Sequence, residues 1–234
     1  MADRWNAWLR DHPAMVAGAL VLVTFAVYGT SLAAGFVYDD EQQVVQNPFI
    51  LNPHLWAKIF TTSVWSFKGV ELHANFYRPL QFFSYWLICR IAGMNPGAFH
   101  LFQLVSYAAS VWLVARLGRA VFQNELVAVT GALLWAVHPL HVEAVAWIAS
   151  LPDVGFAFFY LLAFILFLRS ERAREPSWWQ HVLAAAVYFP ALFFKEMAVT
   201  FPLMVLAWWL IRFERASWRR RALCCLPYVA PVGI

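Results

Sequence analysis

Charged side chains are scarce in this sequence. Asp, Glu, Lys and Arg make up 13% of the 234 residues, where a soluble domain carries about 25%. Hydrophobic residues make up 62%. These proportions exclude a soluble enzyme and a disordered tail, and they leave a polytopic membrane protein.

Cysteine is also scarce. The three cysteines are Cys89, Cys224 and Cys225, and two of them are adjacent, a spacing that rarely forms a disulfide and is not a C-x-x-C metal motif. The sequence therefore excludes a disulfide scaffold, and we interpret the cysteines as packing residues. It also lacks the G-x-x-x-x-G-K-[ST], G-x-G-x-x-G and G-x-S-x-G motifs of nucleotide-binding proteins and hydrolases.

Long apolar runs and abundant Trp (13) and Phe (21) take up most of the chain. The first run, 14–36, has no charge and is long enough to cross a bilayer, so it predicts an uncleaved signal anchor. The further predicted spans are 98–117, 126–137, 154–168, 178–194, 197–213 and a run that begins near 222. The predicted fold class is an all-α polytopic bundle of transmembrane helices.

The arginines indicate the orientation. With the N-terminus inside and the spans alternating, 12 of the 14 arginines lie on the inner side, as the positive-inside rule requires. We therefore expect a multi-pass integral membrane protein with a cytoplasmic N-terminus. Its outer side is periplasmic or luminal, with a bacterial inner membrane preferred. Because the basic residues stand in short clusters between apolar runs, the net charge of +4 does not predict a nucleic-acid partner.

Residues 37–97 form the one long polar stretch, and its scattered aromatic residues predict an outer loop with interfacial helices. Within it, the apolar run 79–93 is too short for a span and contains Arg90. The whole chain, 1–234, is predicted to be a single transmembrane domain. Its apolar end predicts that it is the N-terminal part of a longer module.

Several ionisable residues fall on the predicted outer face, each close to the end of a span. Such groups are costly at that depth and usually mark a substrate or ion path. They come from separate segments, which one outer cavity can gather. The candidates are Asp39, Asp40, Glu41, Arg78, His138, His141, Glu143, Asp153, Lys195 and Glu196.

Each motif has a functional and a structural interpretation. Neighbouring carboxylates at Asp39 and Asp40 suit proton abstraction or metal binding, but they also suit a solvated helix cap. The stretch from His138 to Glu143 can orient an acceptor, bind a metal or phosphate, or cap an interfacial helix. Outer acids are compatible with Mg²⁺ or Mn²⁺, although nothing in the sequence demands a cofactor.

The basic candidates suit a lipid phosphate. Lys195 lies at the bilayer edge between two apolar runs, where it can neutralise a phosphate or form the tip of a charged hairpin. Arg78 adds a guanidinium, which grips phosphate oxygens in a bidentate fork.

Four motifs occur in an order that resembles a known family. They are Phe-Val-Tyr-Asp-Asp at 36–40, Tyr-Arg-Pro-Leu at 77–80, His-Pro-Leu-His-Val-Glu-Ala-Val-Ala-Trp-Ile at 138–148 and Lys-Glu-Met-Ala-Val-Thr at 195–200. Residues 14–213 resemble the membrane half of the tetratricopeptide-repeat O-mannosyltransferases (the TMTC family) and their bacterial relatives. Those belong to the GT-C superfamily of glycosyltransferases that use polyprenyl-phosphate sugars.

The resemblance implies a function. It implies transfer of a sugar, mannose in the named family, from a polyprenyl-phosphate donor to a protein or glycan acceptor on the periplasmic or luminal face. Membrane lipids would surround the site. The mechanism would be a single displacement with inversion at the sugar.

The resemblance also implies residue roles. Asp39 would be the catalytic base, with Asp40 supporting it. The donor phosphate would be bound by Arg78, Lys195, His138 and His141. Supporting acids would be Glu143, Asp153 and Glu196, of which the two glutamates would orient the cations. The family has a basic residue just before the aspartate that follows the His-Pro motif, and here Ser-Leu-Pro precedes Asp153 instead.

Two other classes stay open at this point. A transporter or lipid flippase would use the acids and Lys195 to line a path, and inverted repeats with broken midplane helices would favour it. The sequence shows no such repeat. A non-catalytic assembly subunit would tolerate alanine at Asp39, His138 and Lys195.

Overall fold

The architecture is entirely helical in the part of the chain that the structure describes. A computed structural model of the protein describes residues 1–69, 76–173, 178–212 and 225–230, and these contain no strand. The α-helices are α1 (Ala2–Asp11), α2 (Pro13–Tyr28), α3 (Pro48–Leu51), α4 (Pro79–Ala92), α5 (Pro96–Phe122), α6 (Glu125–Ala136), α7 (Val142–Ala146), α8 (Leu151–Arg172), α9 (Trp178–Phe194) and α10 (Phe201–Arg212). Some features noted in the sequence lie outside the described residues. They are the arginines at 219–221, Cys224 and most of the predicted span that begins near 222.

Among the described residues, three helical segments are long and apolar enough to cross a membrane: Pro13–Ala33, Pro96–Phe122 and Ile148–Arg172. They confirm a membrane protein with an all-α helix bundle. A fourth segment consists of α6 and Pro139–Ala146, which meet at an angle of 53°. The bend lies next to Pro139, just after the predicted span 126–137. The helix α9 has the predicted bounds and 17 residues.

Proline and asparagine determine where the helices begin. Proline stands in the first turn of α2, α4, α5 and α8, where its missing N–H costs no hydrogen bond. Asn95 and Asn124 cap α5 and α6 by accepting hydrogen bonds from backbone N–H groups. The residue after α5, Gln123, has a φ of 56° and allows the immediate turn into α6.

Aromatic packing joins the long helices to the outer loop. One buried cluster contains Val44 and Ile50 from the loop, Tyr85 from α4, Phe99 from α5 and Ile148 before α8. Phe36, the first residue of the acidic motif, packs against this cluster. The loop is therefore held against the ends of α5 and α8 and does not extend freely into solvent.

Small residues allow two close approaches between helices. A Cβ at Gly155 in α8 would lie 2.4 Å from the ring of Phe194, and a Cβ at Gly118 in α5 would lie 3.0 Å from the Cα of Ala128. Both distances are shorter than ordinary van der Waals contact, so these positions require glycine while the neighbouring helices keep their spacing.

Candidate active site

The acidic motif follows the first span at a backbone turn. The span ends in a 3₁₀ turn, Gly29–Ala33, and Tyr38 adopts a φ of 49°, in the left-handed region. This turn sends the chain into a short π-helix, Glu41–Val45. Asp39 and Asp40 stand between the turn and the π-helix and therefore face different surroundings.

Asp40 is buried and fully hydrogen-bonded to backbone. It is 0% exposed, and its two carboxylate oxygens accept the N–H groups of Val37 at 3.0 Å and Ala149 at 2.7 Å. The second bond joins the outer loop to the turn before α8, which is 109 residues away. Asp40 therefore holds these two segments together.

Burial raises the pKa of Asp40, and the negative charges of Asp39 and Glu41 raise it further. The two backbone hydrogen bonds lower it but do not outweigh the burial. Asp39, by contrast, is half-buried, and its carboxylate has neither hydrogen bond nor ion pair among the described residues. Of the two acids, Asp39 is the one whose carboxylate is available to another molecule.

Asp39 lines an open cleft of about 600 Å³. One wall comes from the first outer loop and the other from α7 and its end. The lining residues are Val37, Tyr38, Asp39, Val142, Glu143, Ala146 and Trp147. Glu143 is exposed and forms no ion pair with any described residue, so the cleft carries two carboxylates on mostly apolar walls.

The histidines hold the bend between α6 and α7. The backbone carbonyl of His138 accepts a hydrogen bond from the hydroxyl of Tyr28 at 3.1 Å. The ring Nδ1 of His138 accepts one from the N–H of Leu140 at 3.3 Å. Nδ1 of His141 lies 2.7 Å from the hydroxyl of Tyr107 in α5. Both histidines thus fix the position of α7, which carries Glu143 to the cleft.

The predicted cations are each paired with a predicted acid. Arg78 donates two hydrogen bonds to Glu196, at 3.0 and 2.5 Å, in a bidentate arrangement. Lys195 forms an ion pair with Asp153. These pairs join α4 and α8 to the segment between α9 and α10. Of the two glutamates, Glu196 contacts Arg78, whereas Glu143 lies in the cleft.

The net effect on Glu196 is a lowered pKa. Burial raises the pKa of this carboxyl, but the hydrogen bonds and charge of Arg78, with smaller contributions from its own backbone and from Lys195, lower it by more. The carboxylate therefore stays ionised. A bidentate pair with one partly buried arginine fixes the guanidinium more firmly than a single contact would.

A buried polar network that was not predicted from the sequence supports the acidic motif. Nε2 of Gln81 donates to Gln43 at 2.8 Å and to the hydroxyl of Tyr85 at 3.0 Å, while that hydroxyl donates to the carbonyl of Ile148 at 2.9 Å. The network joins α4, the π-helix and the turn that binds Asp40. Its signal in the sequence is a glutamine and a tyrosine four residues apart in an otherwise apolar helix.

No three His, Cys, Asp or Glu side chains come together as a metal site within the described ranges. The two histidines near the bend contact tyrosine and backbone groups, and Asp40 contacts backbone N–H groups.

The chain is similar to a family of protein mannosyltransferases. A family profile described as dolichyl-phosphate-mannose-protein mannosyltransferase matches residues 74–233. The protein O-mannosyl-transferase TMTC1 of Homo sapiens is 37% identical over 163 residues, which are 68% of this chain and 18% of that protein. The protein O-mannosyl-transferase Tmtc1 of Drosophila melanogaster is 31% identical over 179 residues, 76% of this chain and 21% of that protein.

A third relative, the protein O-mannosyl-transferase TMTC2 of Mus musculus, is 31% identical over 190 residues, 80% of this chain and 22% of that protein. The chain thus spans about a fifth of the length of these curated relatives. No solved structure matches it.

Proposed function

Because this chain belongs to the dolichyl-phosphate-mannose-protein mannosyltransferase family, we propose that it is a GT-C glycosyltransferase. It transfers mannose from a polyprenyl-phosphate donor to a hydroxyl group of a protein acceptor. The observation that carries this proposal is the unpartnered carboxylate of Asp39 in an open cleft, next to a second aspartate that is fixed by backbone.

Asp39 acts as the general base. It takes the proton of the acceptor hydroxyl as the acceptor oxygen attacks the anomeric carbon of the sugar. The bond between that carbon and the phosphate oxygen breaks, and the polyprenyl phosphate leaves with the electron pair. A single displacement of this kind inverts the configuration of the sugar. Asp40 supports the reaction by fixing the backbone next to Asp39.

The cations stabilise the leaving phosphate. Negative charge develops on the phosphate oxygen in the transition state, and preorganised positive groups lower the barrier most when they are already in place. Arg78 and Lys195 are held in place by Glu196 and Asp153. The donor phosphate binds across these two ion pairs, with His138 and His141 as further hydrogen-bond donors.

The orientation follows from the distribution of arginine. The N-terminus lies in the cytoplasm, and the cleft faces the periplasm or the lumen. The acceptor therefore reaches Asp39 after its own translocation, and the polyprenyl chain of the donor stays in the bilayer.

Transfer assays with different donors test the proposal. Membranes that contain the chain are incubated with an acceptor polypeptide and with labelled mannose on either a polyprenyl phosphate or a nucleotide. We expect label in the polypeptide from the lipid donor only. Transfer from the nucleotide donor would contradict the lipid dependence. Movement of the labelled lipid across the bilayer without any sugar transfer would overturn the proposal in favour of a flippase.

A further inference from the structure

The N-terminal helix α1 lies at the opposite end of the bundle from the Asp39 cleft, and none of its residues is buried. Only His12 separates it from the first span, because α1 ends at Asp11 and α2 begins at Pro13. The ring of His12 stacks on Trp8, with centroids 4.7 Å apart, and its Nδ1 lies 2.8 Å from the Trp8 carbonyl. The connection is therefore fixed, and α1 must lie at the membrane surface where α2 enters.

The helix α1 is amphipathic. Trp5 and Trp8 are 54% and 40% exposed and contact each other edge to face. At 100° per residue, they share one side of the helix with Leu9, while Asp3 and Arg10 lie on the other. Apolar and polar residues are segregated more sharply here than in α2, α5 or α8. Tryptophan on one side and Arg10 on the other is the pattern of a helix in the bilayer interface.

A polar cleft of about 460 Å³ separates α1 from the turn between α5 and α6. Its lining contains two arginines and two acids together with amide side chains, namely Arg10, Arg119, Asp3, Glu125, Asn6, Gln123 and Asn124. Asn6 fixes its width, since the side-chain oxygen of Asn6 accepts the N–H of Leu126 at 2.9 Å. The cleft is therefore a built feature of the inner surface and depends on a tertiary contact.

The two arginines of this cleft are in different states. Nε of Arg119 binds Glu125 at 2.8 Å, which holds the guanidinium in place. Arg10 is exposed and has no ion pair among the described residues. A phosphate group suits this arrangement, because guanidinium groups bind phosphate oxygens in a planar fork.

We propose that this cleft binds the phosphate of an anionic phospholipid between Arg10 and Arg119, with Trp5 and Trp8 in the adjoining interface. The membrane is the source of the phosphate, because α2 enters the bilayer one residue after α1 and places the cleft at headgroup depth. The site is separate from the proposed sugar transfer. Arg119 is 16 residues along α5 from Gln103, which binds the turn near the Asp39 cleft, and this is about 24 Å along the helix.

Thermal unfolding with added lipid tests the site. The chain in neutral detergent receives phosphatidylglycerol, phosphatidylcholine or inorganic phosphate, and a ligand that binds the folded state raises the midpoint temperature. We expect a rise with phosphatidylglycerol only. The variant Arg10→Gln should lose at least half of that rise. Arg4→Gln is the matched control, because Arg4 is on the same helix but does not line the cleft, and it should keep the rise.

Three outcomes of the unfolding experiment would overturn the proposal. An equal rise with phosphatidylcholine would show that the negative charge of the lipid is irrelevant. The full rise with inorganic phosphate would identify a free anion as the ligand. An equal loss in both arginine variants would show that the lipid is attracted to positive charge in general and does not bind in the cleft. Phosphorus analysis of lipid that copurifies with each variant gives a second readout, which should fall in Arg10→Gln alone and would refute the site if it did not.

Discussion

Substitution of the two aspartates of the acidic motif should have different effects, with Asp40→Asn lowering stability and Asp39→Asn lowering sugar transfer. In Asp40→Asn, one carboxylate oxygen becomes an NH₂ group that faces a backbone N–H, so one of the two bonds from Val37 and Ala149 is lost. Asp40 is 0% exposed, and leaving a buried donor unsatisfied costs about 1–3 kcal/mol. The charges of Asp39 and Glu41 repel the Asp40 carboxylate and raise its pKa. Because asparagine carries no charge, the substitution removes this repulsion and offsets part of the cost.

The matched variant Asp39→Asn removes no hydrogen bond and no ion pair within the described structure. Its unfolding free energy should stay within about 0.5 kcal/mol of the wild type, while sugar transfer falls. For a chain of this length, 1 kcal/mol corresponds to about 2–4 °C in the midpoint of thermal unfolding. Unfolding of both variants in lipid nanodiscs, followed by circular dichroism, measures the difference. An unchanged midpoint in Asp40→Asn, or a larger drop in Asp39→Asn, would refute the assignment.

Three further changes test the surroundings of the site. Because the pKa of Glu196 is lowered overall, its pair with Arg78 stabilises the fold above the ordinary carboxyl pKa and loses this effect as the pH falls through the lowered value. In Arg78→Gln, the unfolding free energy should therefore fall less steeply than in the wild type as the pH is lowered through the acidic range. Gly155→Ala should destabilise the fold by about 1–3 kcal/mol through overpacking, whereas Gly131→Ala, with open space around it, should not. Gln81→Leu should lower both the unfolding midpoint and the transfer rate, and an unchanged rate would contradict its supporting role.

Much of the fold could be predicted from hydrophobic runs and proline. The run 178–194 became α9 with the same bounds, and the helix over the predicted span 126–137 ends just before Pro139. These features depend on local properties of the chain, namely the length of an apolar segment and the missing N–H of proline. Local properties can be read from one sequence without knowledge of the packing.

The contacts of the site could be predicted only in part. Arg78 and Glu196 were both candidates, but they are 118 residues apart, and no pattern in the sequence pairs an arginine with one particular glutamate. The full burial of Asp40 beside a half-buried Asp39 also depends on tertiary structure, since Asp40 binds the turn at Ala149. For the same reason Gln81 was not predicted from the sequence, since the network of Gln81 and Tyr85 reaches Gln43 and Ile148 in two distant segments.

The tight packing of α8 on Phe194 illustrates the same limit. A glycine in an apolar helix predicts some close approach, but the sequence does not name the residue that approaches. The structure places Phe194 there, one residue before Lys195.

The most direct test of the account compares the single-turnover rate of mannose transfer in Asp39→Asn with that in Glu41→Gln. Both changes remove one negative charge from the same acidic triplet, but only Asp39 lines the cleft. A general base contributes about 10²–10⁴-fold to a rate, so we predict a loss of at least about 100-fold for Asp39→Asn and a nearly unchanged rate for Glu41→Gln. Equal rates in the two variants would contradict the account.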